Sequence, residues 1–197
     1  MGLTSGPSTR HWTSSSGGSA SLAPPDLASR VREAALLEGD FVLSSGKRSS
    51  FYVDKYLFST QPGLLRDLAD ALSTRLPDGV ERLAGVELGA VPLVVATALA
   101  TGLPYVIVRK SAKEHGSSAG RDVEGNLESG EKVALIEDVV TTGTQALRAA
   151  EILAKEGAEV VTIVAVLDRR EVSGPSLGGF PFQALLKLEE LRVGKKD

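Results

Sequence analysis

Apolar and polar positions divide the chain near residue 26. Before it, MGLTSGPSTRHWTSSSGGSASLAPP shows neither a helical nor a strand period, and 14 of its 25 residues are Gly, Ser or Pro. Such a segment cannot bury enough surface to offset the entropy of ordering it, so residues 1–25 read as a disordered tail. From 26 to 197 the pattern is that of one globular domain. Asp26 stands where it can cap a first helix running through Leu37, with Gly39 as the stop. FVLSSGKRSSFYVD, 41–54, reads as two strands about a Ser-Gly turn. Leu64, Leu65, Leu68, Ala69 and Leu72 fall on one face of a helix.

The second half alternates. LAGVEL (83–88) predicts a buried strand, followed by a helix over 92–101. Residues 104–108 predict a strand, followed by a polar stretch, 109–130. VALIE (133–137) predicts a strand, then a helix over 144–156 stopped by Gly157, then the strand VVTIVAVL (160–167). Apolar strands alternating with helices predict an α/β fold, a parallel sheet covered by helices on both faces. The Gly/Pro-rich 174–183 segment gives no clear element. Ligands of such sheets bind beyond the carboxyl ends of the strands. There the chain places Glu87-Leu88-Gly89-Ala90, Arg109-Lys110, Glu137-Asp138 and Asp168-Arg169.

Composition narrows the chemistry. The net charge of −3 argues against a general surface for nucleic acid or anionic membrane. With no cysteine, a disulfide scaffold, a thiolate metal site and a cysteine nucleophile are excluded; this suits a reducing, cytoplasmic setting. The two histidines, His11 and His115, are too few for a multi-histidine metal site. No apolar run is long enough to span a bilayer, and the tail lacks the pattern of a secretory signal.

The strongest chemical signal is VALIEDVVTTGTQA, 133–146. Thr141-Thr142-Gly143-Thr144 would set backbone N–H groups and hydroxyls at a helix N-terminus, an anion nest suited to phosphate. Glu137 and Asp138 just before it cannot also bind phosphate, but they can hold sugar hydroxyls or stabilise positive charge on a sugar ring. Two acids closing an apolar strand are costly without a purpose. Together these features suggest a phosphorylated sugar. No Lys follows the glycine, so a Walker P-loop is excluded. The segment resembles the phosphoribosyl pyrophosphate (PRPP) motif of type I phosphoribosyltransferases. That resemblance implies a parallel sheet flanked by helices with a small N-terminal hood over the site. It also implies that Glu137 and Asp138 contact ribose hydroxyls, that Thr141, Thr142, Gly143 and Thr144 wrap the 5′-phosphate, and that Val139 and Val140 also lie against PRPP.

Three further segments sharpen the resemblance. RKSAKEHG, 109–116, concentrates Arg109, Lys110, Lys113 and His115 among small residues, which suits closure over an anion better than packing. Followed by an EG pair, it resembles the catalytic loop of the orotate phosphoribosyltransferase family. FVLSSGKRSSFYVDKY, 41–56, resembles that family's amino-terminal signature at Ser45, Gly46, Ser49, Tyr52 and Asp54. Its Ser-Gly turn offers N–H donors to a pyrimidine edge and Tyr52 a ring to stack on it; Asp54 is equally a candidate helix cap. Glu87 to Pro92 is similar to the loop that holds pyrophosphate in the family, and Arg169 to the arginine that meets the substrate's ring and carboxylate, with the neighbouring Arg170 ranked second.

The resemblance covers roughly 26–172 and implies an enzyme that transfers phosphoribosyl from PRPP to orotate in pyrimidine synthesis. Lys113, His115 and Asp138 are implied as catalytic. Arg109, Lys110, Glu87 and Gly89, with the motif residues, are implied to bind PRPP; Ser45, Gly46, Tyr52, Thr141 and Arg169 are implied to bind orotate. It further implies Mg2+ held mainly through PRPP, and a homodimer that shares the basic loop across its interface. Some members carry Lys at the positions of Ser44 and Gly89, so here those PRPP contacts are expected either to be absent or to be supplied otherwise, with Lys47 and Arg48 the candidates. Two other readings stay open: a phosphoribosyltransferase for a purine base, and a non-catalytic PRPP-sensing regulator.

Overall fold

The structure, a computed structural model, describes residues 27–42, 46, 48–110 and 122–192. The tail 1–25, Asp26, Ser44, Ser45, Lys47, Lys113 and His115 lie outside the described residues.

The first helix, α1 (Leu27–Ala35), buries Leu27, Val31 and Ala35 at helical spacing. It stops at Ala35, short of the expected Leu37, because the next backbone groups have strand partners. Leu36 pairs with Val53 and Leu37 with Tyr52, in an antiparallel ribbon of β1 (Leu36–Val42) and β2 (Arg48–Val53). Gly39 is therefore no helix stop; it lies in β1, at an irregularity between Glu38 and Phe41 that inserts one extra residue opposite β2. After β2, the Asp54 side chain accepts the Tyr56 N–H at 3.0 Å and caps α2 (Lys55–Ser59). The helix α3 (Pro62–Ser73) buries Leu64, Leu68, Ala69 and Leu72 as their spacing predicts.

The remaining elements run β3 (Arg82–Val86), α4 (Val91–Thr101), β4 (Tyr105–Val108), β5 (Val123–Glu124) and β6 (Lys132–Val140). They continue with α5 (Thr144–Lys155), β7 (Glu159–Asp168), β8 (Ser176–Leu177), β9 (Phe180–Lys187) and α6 (Leu188–Arg192). Seven strands form one sheet in the order β5-β4-β3-β6-β7-β9-β8. The five inner strands are mutually parallel, and β5 and β8 are antiparallel edges. The expected sheet is present, but two parts of it are not legible as periodic runs. β5 lies within the polar 109–130 stretch, and the β8–β9 hairpin lies in the Gly/Pro-rich segment, closed by a Gly178-Gly179 turn.

Side chains alternate faces along each central strand. Leu83, Ala134, Ile136, Val164 and Val166 pack with α1, α3 and α4 on one face. Ala84, Val133, Leu135, Ile163 and Ala165 pack with α5 on the other. Burial on both faces explains why β3 and β7 read as continuous apolar runs. At the amino end of the sheet, Arg82 donates two 2.6 Å bonds to the Glu131 carboxylate. The opposite, carboxyl end is left for the site.

Candidate active site

A cavity of about 870 Å³ opens where β6 and β7 end, walled by Val42, Tyr52 and Val53 of the N-terminal ribbon. β6 runs three residues further than expected, so Asp138 sits inside the strand beside Glu137 rather than after it. Glu137 pairs with Ala165 in the sheet, and the two acids are only 5% and 1% exposed. Glu137 Oε2 is fully buried and has no hydrogen-bond partner among the described residues. Burial, reinforced by the Asp138 charge and only partly offset by Lys55 and Lys110, pushes the Glu137 carboxyl well above the ordinary carboxylate range. Asp138 Oδ1 accepts the Val139 N–H at 2.6 Å. Its buried Oδ2 makes an ion-pair contact at 2.8 Å with Lys55 Nζ, at an angle short of hydrogen-bond geometry. Burial alone would lower the Lys55 ammonium pKa, but the contact with Asp138 outweighs it and the net shift is upward.

Thr141 to Thr144 continue the cavity wall onto the N-terminus of α5. Gly143 is the helix cap residue, at φ +83°. A side chain there would be strained and would also meet Leu177 Cδ1 of β8 at 2.4 Å. The edge hairpin thus backs the nest. The Thr142 and Thr144 hydroxyls lie 2.9 Å apart, and α5 has no side-chain cap, leaving an electropositive end that faces the cavity. Arg169 is half-buried, with a buried Nε that has no hydrogen-bond partner among the described residues; burial lowers its pKa. Arg170 is occupied elsewhere. It holds Asp168 through two bonds of 3.0 and 2.9 Å, reaches the Ser176 and Gly174 carbonyls and stacks on Phe182. These bonds outweigh the upward pull of burial and lower the Asp168 carboxyl pKa.

The phosphoribosyl transferase domain model matches residues 61–180. An orotate phosphoribosyltransferase of Natronomonas pharaonis is 48% identical over 151 residues, covering 76% of this chain and 85% of that protein. The chain belongs to the orotate phosphoribosyltransferase family. Among solved structures of this family, the Aeropyrum pernix enzyme matches with a TM-score of 0.72 at 30% identity, over 84% of this chain and 95% of that one. The Mycobacterium tuberculosis enzyme in complex with PRPP matches with a TM-score of 0.68 at 27% identity, over 85% and 98%.

Against the family pattern, the cavity gathers Glu137, Asp138, Val139, Val140, Thr141, Thr142, Gly143, Thr144, Tyr52 and Arg169. Gly46, Glu87, Gly89, Arg109 and Lys110 are not on its wall. Glu87 Oε1 accepts the Lys110 N–H at 2.5 Å, Arg148 donates to the Lys110 carbonyl, and Arg109 lies 3.5 Å from Glu124. Those contacts fasten the base of the basic loop. Arg48 is exposed and pairs with Asp40 at 2.9 Å, so it does not bring the expected cation to the site. The cation on the cavity wall beside the acid pair is Lys55, which sequence reasoning passed over. The available signal was its place directly after the Asp54 cap, at the end of a strand already assigned to the site.

Proposed function

We propose that the chain transfers the phosphoribosyl group of PRPP to N1 of orotate, giving orotidine 5′-monophosphate and diphosphate for pyrimidine synthesis. One observation carries this reading. A phosphate nest, a buried carboxyl with an unpartnered oxygen and an arginine with an unpartnered nitrogen share one cavity. In this reading the Thr141–Thr144 nest holds the 5′-phosphate. Glu137 and Asp138 meet the ribose hydroxyls, and the carboxylate charge stabilises positive charge on the ring as the C1′–O bond breaks. The bonding pair leaves with diphosphate, which also takes up the proton of the weakly acidic N1–H of orotate, and N1 supplies the pair for the new C1′–N1 bond. Arg169 pairs with the orotate carboxylate in a charged hydrogen bond, with Tyr52 beside the ring. Ser45 and Gly46 meet the pyrimidine edge, and Arg109, Lys110, Lys113 and His115 neutralise the diphosphate.

Among the described residues no three His, Asp or Glu side chains gather into a metal cage. The two carboxyls at the cavity, one with an open oxygen, suit Mg2+ that arrives with PRPP and keeps its waters. Bound in that way, Mg2+ supplies neutralising charge to the diphosphate. The functional unit in this reading is a homodimer of 26–197 domains that shares the basic loop between subunits. Among the described residues no helix is long and apolar enough to cross a membrane.

The test is an absorbance assay with purified protein, PRPP and Mg2+, with orotate or hypoxanthine as acceptor. PRPP-dependent consumption of orotate is expected. Turnover of hypoxanthine in its place would favour a purine enzyme, and PRPP binding without turnover of either base a regulator.

A further inference from the structure

Lys55 lies at the first position of α2, on the corner that joins the N-terminal ribbon to the rest of the domain. Its chain position is 83 residues from Asp138, yet its ammonium is 2.8 Å from Asp138 Oδ2. The Asp138 side chain is 2% exposed and that of Lys55 32%, so the pair has a buried inner end and an outer end on the cavity wall. The space around it is full. A Cβ on Gly89 would lie 1.6 Å from Asp138 Oδ2 and 2.9 Å from Lys55 Nζ. The β3–α4 loop therefore passes as bare backbone against the pair and cannot send a side chain into that corner. With Oδ1 on the Val139 N–H and Oδ2 on Lys55, both carboxylate oxygens are fixed from the protein side.

We propose that Lys55 is a positioning residue for the reaction, fixing Asp138 from the ribbon side so that the carboxylate stands at one place on the ribose wall. It deepens the proposed transfer and rests on that reading for the role of Asp138. It also ties the ribbon to the sheet. The residue that orients the carboxylate stands two residues after the end of β2, whose Tyr52 and Val53 wall the same cavity. A cation that leaves a buried carboxylate without a partner lets it shift, and a misplacement of about 1 Å at a reacting group costs roughly 10²-fold in rate.

The experiment is a double-mutant cycle with Lys55→Met and Asp138→Asn, plus Lys55→Arg as the conservative variant. Two quantities are read: kcat with orotate, and PRPP affinity by calorimetry. The second does not depend on which base is the acceptor, so a wrong acceptor and a wrong role for Lys55 give different results. Lys55→Met is expected to lower kcat roughly 10- to 100-fold with a smaller loss of PRPP affinity, and Lys55→Arg to recover most of the rate. The double variant is expected to be no worse than Asp138→Asn alone, because Lys55 acts through Asp138. Losses that multiply in the double variant, in rate and in PRPP affinity, would assign Lys55 an action of its own on substrate and overturn the proposal. A near-normal Lys55→Met would overturn it as well. Thermal unfolding of each variant is measured beside the cycle, and Lys55→Gln takes the place of Lys55→Met if the latter does not fold.

Discussion

On the proposed reading, replacing Arg169 by Ala should separate recognition of the base from recognition of the sugar phosphate. Arg169 follows directly on β7, and its backbone N–H donates to the Val140 carbonyl at 2.8 Å, a bond that Ala keeps. Its side chain is a different case from that of Arg170. Arg170 is tied into Asp168 and the turn before β8, whereas Arg169 lines the cavity with a buried Nε that has no partner among the described residues. An unpartnered buried donor costs stability, so its removal leaves the folded state no less stable than before. A charged hydrogen bond to the orotate carboxylate contributes about 1.5–3 kcal/mol, which corresponds to roughly a 10- to 150-fold rise in the orotate KM. The PRPP KM should move by less than about twofold, since the phosphate nest and acid pair lie on β6 and α5. Steady-state kinetics with each substrate varied in turn, alongside thermal unfolding, make the comparison. Equal losses for both substrates, or a large drop in melting temperature, would refute the assignment and make Arg169 a structural residue.

Other consequences are as direct. Asp138→Asn should lower kcat by roughly 10²-fold or more with secondary structure unchanged by circular dichroism; a folded variant with normal turnover removes Asp138 from the site. The Arg82 hydrogen bonds hold the Glu131 carboxyl below its ordinary value. Its contribution is thus complete above the unfolded carboxyl pKa of about 4.3 and lost as pH falls through the folded value. Denaturant melts of Glu131→Gln should show a deficit of about 1.5–3 kcal/mol at pH 7 that shrinks as pH falls below about 4; a pH-independent deficit contradicts this. If the basic loop serves the neighbouring subunit, co-refolding inactive Lys113→Ala with inactive Asp138→Asn should restore about a quarter of wild-type activity. Half the dimers are then hybrids, each with one intact site of two. No recovery, with hybrid dimers demonstrated, places the loop on its own subunit.

What was readable in the sequence follows from how local each interaction is. β3, β6 and β7 carry apolar runs because both faces of those strands are buried, and the Thr-Gly stretch sits where a strand gives way to a helix. The end of α1 was not readable, since it depends on Leu36 pairing with Val53, seventeen residues on. β5 and β9 become strands through partners in other elements, β4 and β7, and the two-residue β8 pairs with β9 across a Gly-Gly turn too short to show a period. Within the site, the acid pair and the nest declared themselves through residue type and spacing. Lys55 did not, because what distinguishes it is contact with a residue from another element. Glu87 was expected among the PRPP-binding residues; that its carboxylate takes the Lys110 N–H was not readable, because residue types cannot advertise a backbone partner.

The central claim is that one cavity holds the phosphate at the N-terminus of α5 and the ribose on the adjacent acid pair. The most direct measurement is the electron density of crystals grown with PRPP and Mg2+. The account predicts the 5′-phosphate within hydrogen-bond reach of the Thr141–Thr144 backbone N–H groups, and ribose hydroxyls on Glu137 and Asp138. A phosphate bound away from that helix end, or a ribose that leaves Glu137 Oε2 without a partner, would contradict it.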